Sequence, residues 1–257
     1  MRRLSSVSAI FPCYNDGGTI ASMVLSAKAA LEKLSDDFEI IVINDGSTDY
    51  SGVVLEQLAA LLPPLRLIAH PLNGGYGAAL RSGFAAAGKD YIFYTDGDAQ
   101  YDPQELLSLA EFLTEDKDVV NGYKISRSDP LHRRLIGGAY RLVMRRLFGL
   151  AVRDVDCDFR LMRREVLAGI TLAVDSGAIC VELVKKLQYA GARFVDVPVH
   201  HYHRSYGRSQ FFKARRIVRT IRDLARLWWR LEIRREGRRI GVVPSAPSET
   251  KANNTAD

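Results

Sequence analysis

Short β-rich runs alternate with longer helical patterns through the first half of the chain, and each short run ends on polar or glycine-rich residues. This rhythm is the strongest constraint on the fold, because strands separated by helix-length connections pair in parallel and are covered by those helices. Strands are expected at Val7 to Cys13, Phe38 to Asn44, Leu65 to His70 and Tyr91 to Thr95, with helices over about 18–34, 51–61, 75–87 and 103–115. Ligands of such α/β sheets bind beyond the carboxyl ends of the strands. Four loops then converge on one crevice: Tyr14-Asn15-Asp16-Gly17, Asp45-Gly46-Ser47, Asn73-Gly74-Gly75 and Asp96-Gly97-Asp98.

The second half is less regular. Strands are expected at Asp118 to Lys124, Phe159 to Met162 and Arg193 to His200, and helices at Arg134 to Phe148 and Cys180 to Tyr189, with Gly191 as a C-cap. From Val242 onward Pro, Ser, Thr, Asn and Asp accumulate as in a disordered tail. The expected division is 1–210 for the globular domain, 211–239 for a basic helix and 240–257 for the tail.

A chain of 257 residues with 47% hydrophobic content can bury one substantial core. Three widely spaced cysteines, Cys13, Cys157 and Cys180, fit a reducing compartment better than a disulfide framework. The basic N-terminus leads directly into a strand, so no signal peptide is expected. No stretch of about 18 uncharged apolar residues exists, so no transmembrane helix is expected either. Between Arg204 and Arg239 thirteen Arg or Lys face three acids, so the basic balance of the chain resides in this segment and the remainder is mildly acidic. Charge confined to one helix without a binding motif argues against a nucleic-acid-binding protein.

Asp96-Gly97-Asp98-Ala99-Gln100 places two carboxylates one residue apart at the end of an apolar strand. Mg²⁺ or Mn²⁺ is typically held by one or two carboxylates together with substrate phosphates, and such an ion neutralises a diphosphate leaving group. Alone the pattern also describes a solvated turn; its position among three other polar strand ends favours the metal. Asp45 is placed to accept hydrogen bonds from a nucleoside, while Ser47 or Thr48 can cap the following helix. Asp16 reads equally as an N-cap. Asn73-Gly74-Gly75-Tyr76-Gly77 lacks the Walker lysine and the Rossmann spacing, and reads as backbone passing close to a ligand or another strand.

Together, Pro12-Cys13-Tyr14-Asn15-Asp16, Asp45-Gly46-Ser47, Asn73-Gly74-Gly75-Tyr76-Gly77-Ala78-Ala79 and Asp96-Gly97-Asp98-Ala99-Gln100 resemble glycosyltransferase family 2, over roughly Ser6 to Lys213. Asp158-Phe159-Arg160-Leu161 and His203-Arg204-Ser205-Tyr206-Gly207-Arg208-Ser209-Gln210-Phe211 are similar to the polyprenyl-phosphate (dolichyl-phosphate) mannosyl and glucosyl synthases. The resemblance implies a GT-A type fold and an inverting transfer from a nucleotide-sugar, of GDP-mannose or UDP-glucose type, to a polyprenyl phosphate. It implies that Asp16 and Asp45 hold the nucleoside, with Pro12, Tyr14, Asn73 and Gly74 beside them. Asp96, Asp98 and Gln100 would surround Mg²⁺ or Mn²⁺ and the diphosphate, and Arg204 and Ser209 would close over phosphates. Asp98 and Asp158 are the expected catalytic residues; Asp158 orients sugar or acceptor, or else pairs with Arg160 or Arg163. Arg133, Arg134, Arg153 and Arg160 are candidates for the acceptor phosphate. A family 2 transferase acting on a soluble or polysaccharide acceptor is the alternative.

Glu182 sits among apolar residues, where a structural ion pair is favoured over a sugar contact, and His200, His201 and His203 lack zinc-site spacing. From Phe211 to Leu231 the pattern is helical and two-faced. Arg215, Arg219, Arg222, Arg226 and Arg230 form one stripe, opposite Ile217, Val218, Ile221, Leu224, Trp228 and Leu231. Such a helix suits an anionic membrane surface, at the inner face of the cell membrane for a cytoplasmic protein. Its apolar face could equally pack on its own domain, leaving lipid access to a membrane partner subunit or homo-oligomer.

Overall fold

Val7–Cys13 is a run of seven residues with no exposed position, which a strand satisfies only when both faces of its sheet are covered. The computed structural model describes residues 2–127, 131–207 and 214–236. Its strands are β1 (Val7–Cys13), β2 (Phe38–Asp45), β3 (Leu65–His70), β4 (Tyr91–Thr95), β5 (Val119–Arg127), β6 (Phe159–Arg163) and β7 (Phe194–His201). Its helices are α1 (Ile20–Leu34), α2 (Ser51–Leu61), α3 (Tyr76–Ala86), α4 (Leu106–Phe112), α5 (Leu131–Phe148), α6 (Glu165–Ala168), α7 (Ile179–Tyr189) and α8 (Ala214–Trp228). Every strand expected from the sequence is present within a few residues. The helix expected over 103–115 is instead a 3₁₀ turn, Pro103–Glu105, followed by the short α4.

The described strands form one sheet in the order β3-β2-β1-β4-β6-β5-β7. The β1/β2, β2/β3, β1/β4 and β5/β7 pairs are parallel, whereas β6 runs antiparallel to β4 and β5. The period of two along each strand sorts side chains into two cores. Ala9, Phe11, Ile40, Val42 and Phe93 join α1, α2 and α4 on one face. Ile10, Ile41, Ile43, Ile92 and Tyr94 join α3, α5, α7 and α8 on the other.

Two consequences position the site. The chain winds outward from β1 to β3 and returns to place β4 on the opposite side of β1, so the strand order reverses between β1 and β4, where α/β sheets open their ligand crevice. The reversed direction of β6 pairs Phe159 with Thr95, which delivers the residue before β6, Asp158, to the same edge as Asp96.

The C-terminal helix is only partly what its pattern suggests. Leu224, Leu227 and Leu231 are buried in the second core and half-buried Trp228 donates Nε1–H to Leu147 O at 3.1 Å, whereas Ile217, Val218 and Ile221 stay exposed. A π-helical turn, Trp229–Ile233, follows. The expected tail lies outside the described residues.

Candidate active site

The loop after β1 is built around Asn15, which adopts a left-handed conformation with φ of 59°. Its Oδ1 accepts from Thr48 N at 2.7 Å and Asp49 N at 3.2 Å, and its own N–H donates to Ser47 Oγ at 3.0 Å. This stitching holds the β1 and β2 loops side by side. Neither Ser47 nor Thr48 caps α2; Asp49 Oδ1 accepts from Ser51 N at 2.9 Å. Asp16 does not cap α1 with its carboxylate, which faces the crevice, where Oδ1 lies 3.3 Å from Arg204 Nη1.

Asp45 is buried and every contact it makes shapes the next loop. Its Oδ1 bonds His70 Nδ1 at 2.7 Å and Gly74 N at 2.9 Å; its Oδ2 accepts from Asn73 Nδ2 at 2.8 Å and Gly75 N at 2.9 Å. The sequence suggested a nucleoside ligand at Asp45, and in the structure its oxygens are engaged by residues 70–75. Gly75 (φ 106°) and Gly77 are required here: a Cβ on Gly77 would lie 2.2 Å from Val174 O. Arg216, from the start of α8, reaches the same place, with its guanidinium 5.6 Å from the Tyr14 ring centroid and Nη2 3.4 Å from Asn73 Oδ1. The sequence reading assigned Arg216 no such role, because its position depends on how α8 docks.

The carboxylates beyond β4 are differently placed. Asp98 is buried, with Oδ1 accepting from Gln100 N at 3.0 Å and Oδ2 held by Arg204 Nη2. Half-buried Asp96 has an Oδ1 that is shielded from solvent and lacks a hydrogen-bond partner, as does the Tyr76 hydroxyl. Asp158 Oδ1 accepts from Cys180 Sγ at 3.1 Å, rather than from Arg160 or Arg163. Burial, reinforced by the charges of Asp158 and Asp98, pushes Asp96 well above the usual carboxylate range. Burial likewise raises Asp98 and Asp158, and burial with the charge of Asp98 raises Asp16 to about 6. The charges of Arg204 and Lys124 offset this in part for Asp98, and those of Arg160 and Lys124 for Asp158; among the described residues Arg204 is the one that pairs directly with both Asp16 and Asp98.

Arg204 belongs to a strap laid across the crevice. Tyr202 N donates to Gln100 O at 2.8 Å, Gln100 Nε2 donates to Tyr202 O at 3.1 Å, and the Tyr206 ring covers Gly18. Pro12 is the penultimate residue of β1, paired in register with Ile43 of β2. Ser209 lies outside the described residues, as do the side chains of Arg133 and Arg134. Arg160 is removed from the acceptor candidates: it is fully buried and donates to Asn121 Oδ1 at 2.6 Å, to Tyr94 Oη, and to Val155 and Cys157 carbonyls. Arg153 is exposed, with its guanidinium 4.2 Å from the Tyr123 ring centroid. Glu182 is structural, as its surroundings suggested: Oε2 accepts from Ala173 N and Val174 N, and Oε1 pairs with Lys186.

Among the described residues no group of three or more His, Cys, Asp or Glu is arranged as a ready-made metal cage. A divalent ion that takes one or two carboxylates and completes its shell with diphosphate oxygens and water does not require one.

Comparison with known proteins agrees with this architecture. The glycosyl transferase family 2 model matches residues 8–171. The undecaprenyl-phosphate 4-deoxy-4-formamido-L-arabinose transferase of Pectobacterium atrosepticum is 29% identical over 210 residues, 81% of this chain and 63% of that protein. The transferase of the same name from Sodalis glossinidius is 28% identical over 224 residues, 86% and 67% respectively. The chain thus spans about 63% of the length of the first of these relatives. Glucosyl-3-phosphoglycerate synthase from Mycobacterium tuberculosis, in complex with Mn²⁺, UDP and phosphoglyceric acid, aligns with a TM-score of 0.64 at 19% identity, over 94% of this chain and 80% of that one. A mannosyltransferase from Pyrobaculum calidifontis, in complex with GDP-Man and Mn²⁺, aligns with a TM-score of 0.62 at 19% identity, over 86% and 64%. At these identities the likeness shows the fold, which is of the GT-A type. With its family model covering more than half of its residues, the chain belongs to glycosyl transferase family 2.

Proposed function

We propose that this protein transfers a hexose from a nucleotide-sugar to a polyprenyl phosphate with inversion at the anomeric carbon. The observation that carries this reading is the carboxylate cluster at the β1/β4 switch point, where Asp96 Oδ1 is buried without a partner and Arg204 lies across Asp16 and Asp98. Such a cluster suits a cation, and Asp96 and Asp98 would hold Mg²⁺ or Mn²⁺, with Gln100 bracing the turn. Bound there, the ion neutralises the departing diphosphate. Asp16, Pro12 and Tyr14 line the donor pocket on the β1 side; Asp45, Asn73 and Gly74 form its floor, with Arg216 over it. Arg204 exchanges its carboxylate partners for phosphate oxygens when the donor binds, a switch for which a planar guanidinium is suited, and Ser209 closes over the same phosphates.

The relatives named as undecaprenyl-phosphate transferases support the acceptor, and the neighbours holding Mn²⁺ with UDP or GDP-Man support the donor and the metal. An acceptor phosphate oxygen is already anionic near neutral pH, so it attacks the anomeric carbon as the bond to the diphosphate breaks, without a strong base. Positioning supplies most of the rate. Asp158, tethered by Cys180, orients the sugar or acceptor rather than removing a proton.

The membrane is met through exposed apolar residues: Ile217, Val218 and Ile221 of α8, Trp229 after it, and Leu142, Val143 and Leu147 of α5. The Trp228–Leu147 hydrogen bond joins these two helices. No described helix is long and apolar enough to cross a membrane, and a peripheral position on the cytoplasmic leaflet is the reading these surfaces favour.

The deciding experiment incubates the full chain with labelled UDP- and GDP-hexoses, Mn²⁺ and a short polyprenyl phosphate, following label into the organic phase. The expected result is a lipid-linked sugar with matching nucleoside diphosphate release. Transfer to a soluble glycan or phosphorylated acceptor, with none to lipid, would overturn the acceptor assignment. Flotation with anionic vesicles, weakened by Ile221→Asp, checks the membrane face; binding indifferent to that change places it elsewhere.

A further inference from the structure

The arginine stripe that runs along α8 into the π-helical turn after it does not simply face solvent. Arg219, Arg222, Arg226 and Arg230 line one wall of a cleft of about 320 Å³, whose opposite wall is the loop Ala173–Asp175. This volume is at the lower end for small-molecule sites. The two walls are held independently of any ligand. The loop is pinned by buried Glu182, which accepts from Ala173 N at 3.0 Å and Val174 N at 2.9 Å, and by Arg81 Nη1, which donates to Val174 O at 2.8 Å. The helix is fixed by Leu224, Leu227 and Leu231 in the second core.

The acids facing this cleft do not match its cations. Asp175 is shared between Arg81 and Arg219, at 2.6 and 3.4 Å. Asp223 lies 3.9 Å from Arg219 Nε and 3.7 Å from Arg222 Nε, and Glu236 pairs with Arg230 at 2.7 Å. Arg226 forms no ion pair with a described residue and is exposed. Four guanidinium groups thus crowd a concave surface whose remaining lining includes Val174 and Leu227. Cations that line one wall in excess of the acids facing them suit an anion, and guanidinium forks match phosphate oxygens in pairs. The apolar lining accommodates a short carbon skeleton.

We propose that this cleft is a second anion site, which takes a phosphate ester through Arg222 and Arg226, with Arg219 and Arg230 at its flanks. None of Asp16, Asp96, Asp98 or Asp158 lines it; the Val174–Asp175 wall packs against Gly75 and Gly77, and Arg219 at the flank of the cleft is the arginine that approaches Gly75. The ester is either a small soluble molecule or the headgroup of an anionic phospholipid, and the chemistry recognised is the same. The proposal does not depend on the transferase reading, since neither arginine touches Asp16, Asp96, Asp98 or Asp158.

The test titrates the full chain with glycerol 3-phosphate in EDTA by calorimetry, against sodium chloride of matched ionic strength. The expected result is saturable binding that weakens by about tenfold or more in an Arg222→Ala/Arg226→Ala double variant, and measurably in Arg226→Gln, a change at an exposed side chain. Arg204→Ala should leave this binding unchanged. Vesicles of phosphatidylglycerol and phosphatidylcholine identify the source. If the headgroup is the ligand, glycerol 3-phosphate competes with vesicle retention and the double variant loses it. If a soluble ester is the ligand, the double variant keeps vesicle retention and loses only soluble binding. A response no different from that of chloride overturns the proposal, as does saturable binding indifferent to both arginines in variants whose thermal unfolding matches the parent.

Discussion

Asp45 closes β2 and Asp98 follows β4, the two strands that flank β1, and both are buried, yet their surroundings are opposite. Around Asp45, His70, Asn73, Gly74 and Gly75 each bring a partner, so both carboxylate oxygens are satisfied twice. Around Asp98 other carboxylates crowd together with too few cations among the described residues: Asp96 carries an orphaned oxygen, Arg204 is shared with Asp16, and Lys124 acts on both Asp98 and Asp158. A saturated carboxylate holds structure; a crowded one stores a demand for positive charge that substrate or metal can meet. The two loops look alike in sequence, and only their partners tell them apart.

The largest expected effect that could break this contrast is catalytic. Asp98→Asn should reduce turnover by about 10³-fold, while thermal unfolding in EDTA stays unchanged or rises, because one charge leaves a crowded cluster. Near-normal turnover in that variant, or in the parent under EDTA, refutes the assignment of this cluster to metal and diphosphate.

Asp45 should behave the other way. Asp45→Ala strands the donors that hold residues 70–75, so a loss of about 3 kcal/mol or more is expected in urea unfolding. An unchanged urea midpoint would show that the loop is held by something else.

Next is the pH dependence of stability in EDTA, which sharpens the same distinction. Asp16 is raised to about 6 by burial and by the charge of Asp98, so the folded state binds its proton more tightly than the unfolded chain does. That contribution is fully present below about pH 4 and is lost as pH rises through about 6. Asp16→Asn should flatten this fall, gaining up to about 2–3 kcal/mol at pH 8 relative to the parent. A parallel pH profile in the variant counts against a strained Asp16.

The smallest effect concerns the strap. Arg204→Lys keeps the charge and loses the fork, and about a tenfold drop in kcat/KM is expected, read with Mn²⁺ and donor. Kinetics equal to those of the parent would make Arg204 a simple counter-charge to Asp16 and Asp98.

Much of this was legible in the chain. Apolar runs such as Val7–Cys13 and Phe38–Asp45 announce buried parallel strands by composition and length, and the polar residues that end them announce the crevice. Asp16, Asp96 and Asp98 could be picked out because they follow strands whose direction is dictated by helical crossovers. Asp158 could be flagged only by resemblance, because its place beside Asp96 depends on β6 running antiparallel, which periodicity does not encode. Arg160 was misplaced among the ligand candidates for a similar reason: an arginine in an alternating strand looks exposed until Tyr94 and Asn121 close over it.

The C-terminal helix shows where sequence stops and tertiary structure begins. Local spacing determined that Arg219, Arg222, Arg226 and Arg230 share one face and that Ile217, Val218 and Ile221 share another, since 3.6 residues per turn leaves no other arrangement. It could not determine what each face meets. Packing decided that Leu224, Leu227 and Leu231 enter the core, that Arg216 arrives at Asn73, and that the arginine face closes a cleft with Val174 and Asp175. Helical periodicity is a property of neighbouring residues, whereas these contacts join α8 to residues more than forty positions earlier in the chain; only burial of the leucines against the assembled sheet fixes them.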